Sequence, residues 1–437
     1  MRHASATILS LHLLAAASLA TGCAQTVDSG TVGASGDPPA AGGALGGQTA
    51  GSTNAASSGG DASVARGGAS GTASSGGTTA SGGTTASGGT ASSGGTASSG
   101  GTASSGGTTS SGGTTSSGGI GSSSGGGSSG RAGADGCPLT LEGFASVDAD
   151  GQEGVYGGRD GETVTVTNQA DLNHYATAVE PYTIRVQGAI KISPKGTELN
   201  VASNKTIIGV GSTGAISEGG FFIGSGVHNV IIRNLTIGDT KVPSDTTGKE
   251  FDFDGVQLDT AHHVWIDHCA FHDINDGMID SRKDNTFLTV SWNVLHDHNK
   301  AFGIGWTDNV TAQITIHHNI LRDTVQRNPS VDNVLRAHLY NNWLLRVSSY
   351  GNYSRGGTNM VLENSVFDQV HDPVHYDTGS LVSIGNVFRG TTGERESSGS
   401  TYSFFNPSDF YAYSLTPASE VEALLTKCAG PRENLGK

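Results

Sequence analysis

The sequence predicts an all-β fold: a right-handed parallel β-helix running from Cys137 to the C-terminus, preceded by a disordered Gly/Ser/Thr-rich linker. Three features predict it. A short β-branched or aromatic phrase recurs from about Asn204 onward. Its copies lie about 20 to 26 residues apart, with no helical spacing between them. The stretch from Ala24 to Gly136 carries almost no large apolar side chains.

The chain has 437 residues, 68 of them Gly, with 6% aromatic and 14% charged residues, too poor in bulky apolar groups for one uniform globule. At the N-terminus, Arg2 and His3 precede an apolar run, Ala4 to Ala20, that ends in small residues before Cys23, the pattern of an export signal over residues 1–22. Ala20-Thr21-Gly22-Cys23 resembles a bacterial lipobox, so Cys23 is expected to carry a lipid, and Ala24 after it is compatible with outer-membrane sorting. The expected location is secreted, or an outer-membrane or cell-surface lipoprotein. Residues 23–136 have no Phe, Tyr or Trp and repeat phrases such as Thr72-Ala73-Ser74-Ser75-Gly76-Gly77, so they cannot bury enough surface to offset their ordering entropy. A formal charge of -15 argues against a nucleic-acid partner.

Residues 137–437 form the expected domain. Its strands include Val230-Ile231-Ile232-Arg233-Asn234, Val264-Trp265-Ile266-Asp267-His268-Cys269, Leu288-Thr289-Val290-Ser291-Trp292-Asn293 and Ile314-Thr315-Ile316-His317-His318-Asn319. The positions Asn234, Cys269, Asn293, Asn319, Asn342, Ser365 and Asn386 are taken as equivalent. Only the first interval between them is long, and it holds an insertion, Asp239 to Phe251. The shorter, recurring interval fits one turn of a β-helix, with the Asn side chains stacked as an internal ladder that Cys269 and Ser365 interrupt. A leucine-rich repeat is the alternative, but its signature is absent. Cys137 and Cys428 bracket the domain, and an exported setting permits a disulfide between them; Cys269 reads as a small buried residue.

The period also gathers charge. Asp252 and Asp254 share one face of a strand, and Asp276 and Asp280 follow about one turn later. Four carboxylates brought together call for a cation, and oxygen-rich clusters suit Ca²⁺. Lys300 follows Asp280, and Arg327 follows Lys300, each at roughly the spacing of one turn, so the two cations extend the column. Arg282, just beyond Asp280, is placed to contact substrate or to form a surface ion pair. A zinc site at His317-His318 is disfavoured because adjacent strand residues point to opposite faces.

Several of these segments together resemble pectate lyase family 1: Trp265-Ile266-Asp267-His268, the block Asp276 to Asn293, His296 with Lys300, His318-Asn319 and Gln326-Arg327-Asn328-Pro329. Glu142-Gly143-Phe144-Ala145, Ser203-Asn204-Lys205-Thr206-Ile207 and His338 with Tyr340-Asn341-Asn342 agree with it. The resemblance implies a calcium-dependent lyase that cleaves de-esterified polygalacturonate by β-elimination. By position it implies Asp254, Asp276 and Asp280 as calcium ligands with Asp252 as a further candidate, Lys300 as the substrate-binding lysine, and Arg327 as the base that removes the C5 proton. Asp267 and His268 read as structural. Many members carry a second Arg just after the Pro; here Ser330, Val331 and Asp332 follow and Arg336 lies further on. A pectin lyase acting on methyl-esterified polymer and a non-catalytic, tethered polysaccharide-binding β-helix are the alternatives. The expected partners are the polysaccharide and, through Cys23 alone, a membrane; the expected state is a monomer.

Overall fold

The structure is a computed structural model and describes Gly133 and residues 135–437. The expected signal segment, Cys23 and the linker up to residue 132 lie outside the described residues; of the linker's last residues Gly133, Asp135 and Gly136 are described, and Asp135 pairs with Arg432. Short parallel strands wind into a β-helix with three faces. One face is a ladder of ten strands, one per turn, from Glu162–Val166 through Lys205–Gly209, His262–Asp267 and Gln313–His317 to Ser380–Ile384. The other two faces meet in the 12-residue strand Val294–Gly305, whose start pairs with Ala270–His272 and whose end pairs with Gly277–Arg282. The face that carries the candidate site comprises Thr197–Asn200, Gly219–Ile223, Val256–Asp259, Gly277–Arg282, the end of Val294–Gly305, Ser330–Asp332, Asn352–Arg355 and Val374–Asp377.

Alternation inside each strand builds the core. Ile184, Ile207, Ile232, Ile266, Val290, Ile316, Leu339 and Leu362 pair in register, so one aliphatic column runs through eight successive turns, all of it buried. Helix Gln169–Thr177 buries Leu172 and Ala176 against this core, with Asn168 capping its first turn through Asp171 N–H. Helix Ala418–Cys428 packs Val421 and Leu425 on Trp292, Ile320 and Val366. Cys137 and Cys428 form a disulfide with Cα atoms 5.6 Å apart, and Cys269 is free and buried, its thiol pushed up to about 12 by burial. Among the described residues, no helix is long and apolar enough to cross a membrane.

The Asn ladder exists, with one correction. Cys269 N–H donates to Asn293 Oδ1, Asn293 N–H to Asn319 Oδ1, Asn319 N–H to Asn342 Oδ1, Asn342 N–H to Ser365 Oγ and Ser365 N–H to Asn386 Oδ1. Ser365 therefore continues the ladder instead of interrupting it. Asn234 does not belong to it. Register pairs Val230 with Val264, a shorter step than that from Asn234 to Cys269, so Asn234 aligns with His268 and Leu235 occupies the position of Cys269. Asn234 opens a second column, with His268, Trp292, His318, Asn341 and Asn364, in which every residue has a positive φ between 41° and 58°. These residues turn the chain between the first and second faces. The same turn corrects the reading of His317 and His318: because His318 leaves the strand at φ 54°, the two Nδ1 atoms meet at 2.9 Å instead of diverging.

Candidate active site

Register decides which side chains meet. Asp254 precedes strand Val256–Asp259 and aligns with Gly277, so Gly277 N–H donates to Asp254 Oδ1 at 2.7 Å. A side chain at Gly277 would collide with Asp280 Oδ1, so only glycine leaves that carboxylate in place. Carboxylate oxygens of Asp252, Asp254 and Asp276 lie within 4.8 Å of one another and could hold a metal ion. Asp280 stands outside that trio, buried, and joins it through Arg282. Arg282 donates to Asp252 from Nη1 at 2.9 Å and from Nη2 at 2.6 Å; Nη2 also reaches Asp254 at 2.7 Å and Asp280 at 3.2 Å. Arg282 thus forms an ion pair, with its own side chain largely buried instead of at the surface.

Lys300 and Arg327 flank the acids, but not in the column of Asp280. Asp280 aligns with Gly303, whereas Lys300 aligns with Gly277 and therefore lies beside Asp276. Its ammonium donates to Asp276 Oδ1 at 2.5 Å and to the Gly248 carbonyl at 2.6 Å. Gly248 belongs to the insertion between Asp239 and Phe251. That loop is braced by Asp245, whose carboxylate accepts the N–H groups of Lys249, Glu250 and Phe251 and an amide proton of Asn275. Arg327 occupies a corner at φ 58°, and its Nη1 stands 3.8 Å from Asp280 Oδ2. Its neighbour Asn328 is buried, accepts from Thr324 and donates to the Tyr350 carbonyl, which fixes the corner.

Burial is the largest influence on the buried carboxyls here. It raises Asp254 well above the ordinary range, and Asp280 beside it adds to the effect. Burial likewise lifts Asp280 to about 6 against the pull of Arg327 and Arg282. Exposed Asp252 moves the other way, lowered chiefly by its hydrogen bonds to Arg282. His298 donates from Nε2 to the Asp276 carbonyl and is held neutral, its value lowered by burial to about 4.

Comparison with known proteins places this arrangement. A family model described as pectate lyase matches residues 38–434. A pectate trisaccharide-lyase of Bacillus licheniformis is 30% identical over 312 residues, covering 67% of this chain and 86% of the relative. The chain belongs to the pectate lyase family. A pectate trisaccharide-lyase of Thermotoga maritima is 38% identical over 221 residues, covering 48% of this chain; the match spans 59% of that relative's length. The crystal structure of a pectate lyase from Bacillus sp. N165 in complex with trigalacturonate superposes with a TM-score of 0.56 at 26% identity, covering 67% of this chain and 98% of that one.

Within the pectate lyase fold, three residues of this face had no signal in the sequence. Glu198, on strand Thr197–Asn200, accepts from Asp254 N–H at 2.9 Å and is pushed up to about 7 by burial. Trp306 follows Val294–Gly305 and lies near both Arg282 and Arg327. Arg355 aligns with Asp332, one turn beyond Arg327, and reaches Ser330 Oγ at 3.5 Å. It sets a guanidinium on the face where the second arginine is lacking. Arg336 does not do so: it lies on the ten-strand face, bonded to Gln313 and over the Phe410 ring. Asp267 ends a strand of that face and His268 is the corner after it; both are buried, bonded to Arg233, Ser291 and each other, away from the acids.

Proposed function

We propose that this pectate lyase family member cleaves de-esterified polygalacturonate by calcium-dependent β-elimination and releases unsaturated oligogalacturonides. The observation that carries the reading is the meeting of Asp252, Asp254, Asp276 and Asp280 from two neighbouring turns with Lys300 and Arg327 beside them.

The donors fit a hard divalent cation. All are carboxylate oxygens, and Asp280 Oδ1 is buried with no hydrogen-bond partner in the structure. Asp254, Asp276 and Asp280, with Asp252, would hold calcium; when bound, it would neutralise the uronate carboxylate and so acidify the C5 proton α to it. Lys300 binds and orients that carboxylate, exchanging part of its contact with Asp276 for the substrate. Arg327, in its transiently neutral form, takes the proton from C5. The C5–H electrons form the C4–C5 double bond as the C4 glycosidic oxygen leaves with the electron pair of the broken bond and takes a proton from water. The polymer is the partner of a monomeric enzyme; the Ala20 to Cys23 motif supports export with a lipid on Cys23.

The test is to incubate the protein with polygalacturonate at alkaline pH and follow the ultraviolet absorbance of the unsaturated product. Absorbance that requires calcium, stops with chelator and is lost in Arg327→Ala is expected. Reducing ends without unsaturation would make the protein a hydrolase, and binding without cleavage would make it a polysaccharide adhesin.

A further inference from the structure

Trp306 is half exposed, at 50%, whereas Trp265 and Trp292 are buried. It takes a positive φ of 58°, uncommon for so bulky a residue, directly after the strand Val294–Gly305. The turn folds its indole back over the sheet. A Cβ at Gly303 would meet Trp306 Cη2 at 2.5 Å, so the ring lies where the strand carries no side chain. The guanidinium carbons of Arg282 and Arg327 stand 5.4 and 5.3 Å from the ring centroid. An apolar plate is thereby fixed on the outer surface, between the cation that pairs the acids and the proposed base.

We propose that Trp306 is a substrate-binding platform on which one galacturonosyl ring stacks, adjacent to the ring that loses its proton. The proposal rests on the functional reading above. A galacto-configured pyranose has its C4 oxygen axial, which leaves the C–H bonds at C3, C4 and C5 on one face as an apolar patch. An aromatic face desolvates such a patch favourably, while the flanking guanidiniums meet the carboxylates. The ring that gives its C5 proton to Arg327 must offer that face to the guanidinium. The indole therefore receives its neighbour, and Trp306 sets the register of the chain relative to the cleaved bond.

The experiment compares wild type, Trp306→Ala and Trp306→Phe in two measurements. In the first, kcat and KM are measured on polygalacturonate with saturating calcium. Ala raises KM about tenfold or more, with a smaller effect on kcat, and Phe restores most of the loss. In the second, tryptophan fluorescence is followed while trigalacturonate is added to the calcium-loaded protein. Wild type shows a change that Trp306→Phe lacks. A KM for Ala within twofold of wild type overturns the platform, as does a wild-type fluorescence change that persists in Trp306→Phe. Absence of unsaturated product from wild type would overturn the functional reading, and the fluorescence arm would still decide the stacking.

Discussion

Arg282 Nη2 donates to Asp254 Oδ2 at 2.7 Å, and the same nitrogen reaches Asp252 and Asp280. A guanidinium thus serves as counter-ion to the acids from two turns, using oxygens that a divalent cation would need. Removing it should have two opposite effects. Without metal, Arg282→Ala leaves buried carboxylates uncompensated, and the protein should lose about 3–5 kcal/mol of stability. With metal, the competitor is gone, and calcium should bind roughly tenfold more tightly, about 1.4 kcal/mol. Calorimetric titration and thermal unfolding with and without chelator measure both. Weaker calcium binding in the variant would mean that Arg282 organises the acids for the ion instead of competing with it.

What the sequence discloses follows from what repeats in it. Strand phrases and the intervals between them are periodic, so the coil, its Asn ladder and the meeting of the four acids are legible. The misplacement of Asn234 arises at the one long turn: register aligns Asn234 with His268 and not with Cys269, and Asn is as suited to a positive-φ corner as to a ladder. The corner column changes from Asn234, Asn341 and Asn364 to stacked aromatic rings at His268, Trp292 and His318, so no single residue type marks it along the chain. Spacing alone assigns Lys300 to the column of Asp280; the backbone pairs it with Gly277 instead. Glu198 and Trp306 are invisible for a different reason. One comes from an earlier turn and the other from a turn that folds back, and neither position carries a repeated polar residue.

Glu198 gives the metal-free protein a pH dependence of definite sign. Its carboxyl is pushed up to about 7, first by burial and further by Asp252 and Asp280, against a bond from Asp254 N–H and the charge of Arg282. The unfolded chain releases this proton near 4.5. Between those values the native state holds more protons, so stability falls as pH rises through the window. In chelator, the unfolding midpoint should decline from about pH 4.5 to 7, and Glu198→Gln should flatten that decline. An identical slope in the variant would assign the dependence to other groups.

The ladder makes a prediction about stability alone. Asn319 accepts from both the N–H and the side-chain amide of Asn293, and donates to the carbonyls of Val290 and His317. Asn319→Ala strands a buried N–H and buried carbonyls, which should cost about 3 kcal/mol. Asn319→Ser should recover part of this, since Ser365 already performs the accepting role with its Oγ. Denaturant unfolding measures the difference; equal losses in Ala and Ser would show that the amide's donor bonds carry the effect.

The disulfide ties the two ends of the described domain across 291 residues of sequence, and Cys428 closes the helix Ala418–Cys428 that covers Trp292 and Ile320. Crosslinking so distant a pair removes much of the unfolded chain's freedom, so Cys137→Ser combined with Cys428→Ser should cost about 2–5 kcal/mol. The carboxylates of the acid cluster bond to Gly277 N–H, Arg282 and Lys300, none of which lies in the terminal helix, so calcium affinity should be unchanged at temperatures where the variant stays folded. Thermal unfolding checks the first expectation and calorimetric calcium titration the second. A variant that loses calcium binding while its unfolding midpoint holds would reveal that the terminal helix shapes the site, because stability and site geometry would then have separated in the direction opposite to the one this architecture requires.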